Sequence, residues 1–188
     1  FSCKQERNKK LFRVSQANPA LKRSLQPVYA FHQATPYGGY LDPDWDRSFD
    51  IVPGTVMCRK YGEVFTPYTG SGEQKPFGLS ALFVAPSLGV DEVTGTGANN
   101  FTVWVGGEQA VFEVLSTAFD TQADWTAANR TDGSFQLLTG TAHGLLTPTG
   151  ANHQNAVAEL LDVISTDKIL IRLNRFDLSS AAALGGDS

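Results

Sequence analysis

The side chains most able to do chemistry in this 188-residue chain are few and scattered. Asp42, Asp44, Asp46 and Asp50 form the densest carboxylate cluster. Their spacing resembles the opening of a calcium loop, but a loop of that kind needs glycine at its sixth position and a bidentate glutamate at its twelfth. Those positions hold Arg47 and Pro53, so the cluster reads as a solvated acidic turn or a partner for basic groups rather than a metal site. His143 and His153 lie ten residues apart without a neighbouring Cys or Glu ligand, and His32 stands alone, so no zinc spacing is present. No Gly-x-Ser-x-Gly elbow marks a nucleophile. The stretch Thr94–Asn99 is glycine-rich but lacks the Gly-Lys-Ser/Thr of a phosphate loop, and an apolar β-type run follows it instead of a helix. Cys3 and Cys58 make neither a disulfide framework nor a metal cluster and are read as free thiols; a Cys3–Cys58 bridge is the alternative. The residues thus call for no enzyme activity, no metal and no cofactor.

Charge is distributed with more purpose. Residues 1–23 carry Lys4, Arg7, Lys9, Lys10, Arg13, Lys22 and Arg23 against Glu6 alone, a local net of +6; the chain totals −4, so the remainder carries −10. A basic segment on an acidic body points to a contact between that segment and something negative. Duplex nucleic acid fits poorly, because the acidic body would repel it and the aromatics lie downstream of the cations. No apolar run approaches the roughly 18–20 residues that cross a bilayer, and Phe1–Arg7 hold no apolar signal-peptide core.

The elements that must position these groups are β-strands. Residues 1–50 lack sustained periodicity: a short helix over Lys4–Leu25 would be interrupted by Pro19. Pro27–Asp50 is rich in Pro, Gly, Tyr and Asp. Its Tyr29, Phe31, Tyr37, Tyr40, Trp45 and Phe49 suggest an extended arm laying aromatic anchors on a partner. From residue 51 short apolar runs alternate with turns. Strands are expected at Thr55–Lys60, Val64–Tyr68, Leu79–Val84, Phe101–Val105, Ala110–Leu115, Ser134–Leu138 and Lys168–Leu173, with Phe101–Val105 and Ala110–Leu115 forming a hairpin across Gly106 and Gly107. Thr121–Asn129 reads as a helical turn capped by Asp120 or Thr121. The expected core includes Val56, Leu82, Val84, Val103, Val105, Val111, Phe112, Ile169, Ile171 and Leu173. The fold class is mainly β: a small barrel or open sandwich over 51–178, with a long extended arm (1–50) and a flexible tail (179–188).

One stretch adds a resemblance. Pro53-Gly54-Thr55-Val56 opens a strand and Gly62 to Tyr68 supplies a Pro-Tyr element. Pro76-Phe77-Gly78-Leu79 leads into Ala81–Val84, and Val103 to Phe112 follows with Gly106-Gly107-Glu108 at its centre. This order is similar to the core of lambda-type head decoration (cement) proteins of tailed bacteriophages. The resemblance implies a non-enzymatic virion protein, assembled in the host cytoplasm and bound to the capsid exterior as a homotrimer. Its partner would be the major capsid protein, with neither nucleic acid nor membrane as a ligand. The contacts would come from an arm bearing Lys4, Arg7, Lys9, Lys10, Arg13, Lys22, Arg23, Tyr29, Phe31, Tyr37, Tyr40 and Trp45. Two other readings stand beside it. One is a receptor- or glycan-binding β module of a phage tail or fibre, in which Trp45, Trp104 or Trp125 would stack on sugar; the other is a hydrolase whose site has no recognisable motif.

Overall fold

The computed structural model describes residues 23–29, 33–70, 74–85, 101–106, 110–125, 136–149 and 155–173. These residues are mainly β, and eleven strands are assigned among them: β1 (Leu25–Tyr29), β2 (Thr35–Leu41), β3 (Val56–Tyr61), β4 (Val64–Pro67), β5 (Pro76–Ser80), β6 (Phe101–Val105), β7 (Val111–Leu115), β8 (Gln136–Gly140), β9 (Leu146–Pro148), β10 (Ala158–Ser165) and β11 (Lys168–Leu173). They build a closed barrel, β2-β4-β3-β5-β6, and a six-stranded sheet, β1-β7-β11-β10-β8-β9.

Two apolar layers follow from the period-two alternation of the strands. Inside the barrel lie Leu41, Trp45, Ile51, Met57, Phe65, Val84, Phe101 and Val103. The second layer joins barrel to sheet. Val56, Cys58 and Leu79 meet Phe112, Val114, Leu138, Leu160, Ile169, Ile171 and Leu173 there. On β3 the two layers share one strand, with Met57 in the barrel interior and its neighbours Val56 and Cys58 in the shared layer. A five-stranded barrel has a narrow lumen, so backbone must come close to side chains. Gly39 and Gly78 allow this: a Cβ on Gly39 would collide with the Glu63 carbonyl and the Phe65 ring, and one on Gly78 with the Trp104 carbonyl and Val103.

Several expectations need correcting. An arm reaching to residue 50 is not what the fold shows, because β2 pairs antiparallel with β6 from Thr35↔Val105 to Gly39↔Phe101 and parallel with β4 at Tyr40↔Val64. Without β2 the barrel could not close, so its Pro, Gly and Tyr content reflects tight barrel packing rather than an unstructured chain. Leu25 lies in β1, which pairs with β7, not at the end of a helix. Residues 1–22 and 179–188, and with them the rest of the arm and the tail, lie outside the described residues. The β6–β7 hairpin is also absent. β6 pairs with β2 and β5, whereas β7 pairs with β1 and β11. The two strands stack face to face across the shared layer, with the Trp104 and Phe112 ring centroids 6.3 Å apart.

The strand expected at Leu79–Val84 ends at Ser80, since the Ser80 hydroxyl donates to the Leu82 carbonyl (2.8 Å) and accepts from the Leu82 N–H (3.1 Å). Such local side-chain bonds compete with a continuing ladder. Val84 instead exchanges backbone bonds with Ile51. At 120–125 the chain makes a turn, with Gln122 N–H on Asp120 Oδ1 (2.9 Å) and Trp125 Nε1–H on the Asp120 carbonyl (2.7 Å); residues 126–129 are outside the described set.

Candidate partner-binding surface

The acidic run folds into a self-satisfied corner. The buried Asp42 takes the Asp44 N–H on Oδ1 (3.1 Å) and Lys60 Nζ on Oδ2 (2.9 Å). The Asp46 carboxylate holds the Ser48 N–H and hydroxyl, both at 2.9 Å. The Asp42 hydrogen bond, before the charge itself, raises the Lys60 pKa from 10.5. Among the described residues no group of His, Cys, Asp or Glu is placed to hold a metal ion. Cys58 is a free, buried thiol in the layer between barrel and sheet, where desolvation pushes its pKa from 9.0 up to about 12. A thiol that stays protonated is a poor nucleophile.

The predicted anchors divide sharply. Lys4, Arg7, Lys9, Lys10, Arg13, Lys22 and Phe31 lie outside the described residues. Arg23 is exposed, and its carbonyl accepts a bond from Gln26. Tyr29 is 65 % exposed beside Val28 on β1, and Tyr40 is 40 % exposed on β2. Tyr37 is half-buried against the barrel layer, edge-on to Phe65 and Phe77. Trp45, expected as a surface anchor, is only 4 % exposed because its apolar ring fills the barrel layer. Among the expected core residues, Val56, Val84, Val103, Phe112, Ile169, Ile171 and Leu173 are buried, while Leu82, Val105 and Val111 are half-buried. Of the three tryptophans, the buried Trp45 has no open face for sugar stacking. Trp104 and Trp125 are half-buried against Phe112 and Phe119 respectively.

Two exposed residues escaped the sequence reading. Tyr61, at the end of β3, is 62 % exposed and opposes Val64, which in turn opposes Tyr40. Arg59 sits over Tyr37 and Phe77. The available signal was Arg59-Lys60-Tyr61 breaking an apolar strand just before Gly62, a pattern that reads as an ordinary solvated strand end.

The sheet edges are guarded. On β1, the Leu115 N–H donates to the Ser24 carbonyl (2.8 Å), which by alternation turns the bonding groups of Gln26 inward and those of Pro27 outward. Pro27 therefore costs the β7 ladder nothing and removes a donor from the open edge, and a bulge follows it. At the other edge β9 has three residues, and Leu146 is bonded on its outer side by Ala118 and Asp120. The sheet face turned away from the core carries the ion pairs Lys168–Glu113 (3.0 Å) and Arg172–Glu159 (2.5 Å).

The fold thus defines a mainly β protein in which a closed barrel and an edge-protected sheet share one apolar layer. Comparison with known families carries the identification further. The chain matches the family model of phage cement proteins over residues 11–188 and belongs to that family. It is therefore a structural, capsid-associated protein of a phage virion. No curated protein and no solved structure is found to match it.

Proposed function

We propose that this protein binds the outer surface of an icosahedral phage capsid as a homotrimer and stabilises the shell by bridging neighbouring major capsid subunits. The observation that carries the reading is the family match over nearly the whole chain. The physics of the chain supports it. A cement protein needs contact area and a body that does not aggregate. Among the described residues, barrel closure and the blunted β1 edge limit the backbone open to strand addition. Contact is then made by side chains: Tyr29, Tyr40 and Tyr61 on the folded body, and the cations Lys4 to Arg23 preceding β1. Aromatic residues and arginine are the types enriched in interface cores. The partner is protein, not nucleic acid or membrane, and assembly takes place in the host cytoplasm.

The test is to add purified protein to shells that lack it and measure co-sedimentation together with shell melting. The reading expects saturable binding and a higher shell melting temperature. Failure to bind, or binding with unchanged shell melting, contradicts it.

A further inference from the structure

Arg59 is the best-prepared binding group on the described surface. Its Nε–H donates to the Gly62 carbonyl, and its guanidinium lies 5.3 Å from the Tyr37 ring centroid and 5.9 Å from that of Phe77. Those two rings are themselves fixed edge-on to each other, 5.3 Å between centroids. The group is held on three sides, yet its charge is not taken up: Arg59 belongs to none of the ion pairs among the described residues, which are Lys60–Asp42, Lys168–Glu113 and Arg172–Glu159. Arg59 remains exposed. Exposed Lys75 immediately precedes Pro76, the ladder partner of Cys58. Tyr40 and Tyr61 both oppose Val64 in the neighbouring ladders, with Lys60 Nζ 5.9 Å from the Tyr61 ring centroid, and the exposed Glu63 is not paired with Arg59.

An arginine stacked and anchored in this way has already lost most of the rotamer freedom that binding would cost it. Its remaining donors form a planar fork suited to a carboxylate. We propose that Arg59 is the anchor of the contact with the shell and receives an Asp or Glu carboxylate of a capsid subunit. The inference rests on the capsid-binding reading and gives that contact a location and a partner chemistry. Anchors of this composition, Arg and Tyr together, carry a disproportionate share of interface energy.

The test uses the full chain, the variants Arg59→Ala and Arg59→Lys, and Arg47→Ala as a control for overall charge. Each is titrated onto shells lacking the protein, with the urea midpoint recorded alongside. The expected result is a loss of more than about tenfold in affinity for Arg59→Ala. Arg59→Lys, which keeps the charge but lacks the fork, should lose a smaller factor, and Arg47→Ala should bind as the unaltered protein does. If Arg59→Ala folds poorly, Arg59→Lys alone decides. Unaltered protein that binds while both Arg59 variants bind equally well overturns the anchor and leaves the capsid reading intact. An equal loss in Arg47→Ala overturns it in favour of general charge. Dispersal by Arg59→Ala of an oligomer formed without shells overturns it by assigning the carboxylate to a second copy. If the unaltered protein does not bind shells, the capsid reading fails and the anchor with it.

Discussion

At the residue scale, two groups make the folded protein sensitive to alkali. Cys58 keeps its proton to about pH 12 in the fold but releases it near 9.0 when unfolded, so its effect on stability is absent below 9.0 and destabilising as pH rises from there towards 12. Lys60 is held in its charged form by Asp42; that contribution is complete below 10.5 and lost as pH rises through its raised value. Urea midpoints should therefore be flat from pH 7 to 9 and fall above it, and Cys58→Ala should reduce the fall. The same burial predicts that in a Cys3→Ser background the Cys58 thiol resists alkylation in native buffer and reacts at once in denaturant. Rapid native labelling would contradict the burial of Cys58 between barrel and sheet. Phe112, 1 % exposed in that layer, tests the packing directly. Phe112→Ala should cost about 3–5 kcal/mol, read as a lowered urea midpoint.

At the scale of elements, the segment around β2 has the most to teach. Its Thr35-Pro36-Tyr37-Gly38-Gly39-Tyr40 sequence carries few of the signals of a strand, since Pro and Gly are depleted there. In the fold the same residues are required: Gly39 admits the Phe65 ring, and Tyr37 packs edge-on against Phe65 and Phe77. Gly39→Val should accordingly destabilise by about 1–3 kcal/mol through overpacking, measured by thermal melting. Deletion separates the two boundaries. Removing residues 1–22 should leave the β circular dichroism signal and a cooperative melt, whereas removing residues 1–50 should abolish the melt by opening the barrel. Strands with clean alternation were legible without coordinates. β11 buries Ile169, Ile171 and Leu173 and turns Lys168, Leu170 and Arg172 the other way, as its sequence says. Strand pairing was not legible. β6 and β7 are neighbours in sequence and apolar enough for a hairpin, but β6 closes the barrel and β7 joins the sheet, with Trp104 and Phe112 meeting between them; local turn chemistry carries no information on that choice. The aromatic anchors were the least legible part: Tyr29 and Tyr40 are exposed, Trp45 is buried in the barrel layer, and Tyr37 is half-buried against Phe65 and Phe77.

At the scale of the whole molecule, the proposed contact with the shell rests on side chains of the folded body and on the segment that precedes β1. The segment 1–23 carries a net +6, so its proposed contact with the shell is one that salt would screen. Raising salt from about 0.05 to 0.5 M should slow binding to shells, and removal of residues 1–22 should blunt that dependence. The most direct measurement is an electron cryomicroscopy reconstruction of shells saturated with the full chain. The account predicts density on the outer surface at the junctions between capsid subunits, each copy touching at least two of them, with the Arg59 end of the barrel facing the shell. Density on the inner surface, or copies seated wholly on one subunit, would contradict it.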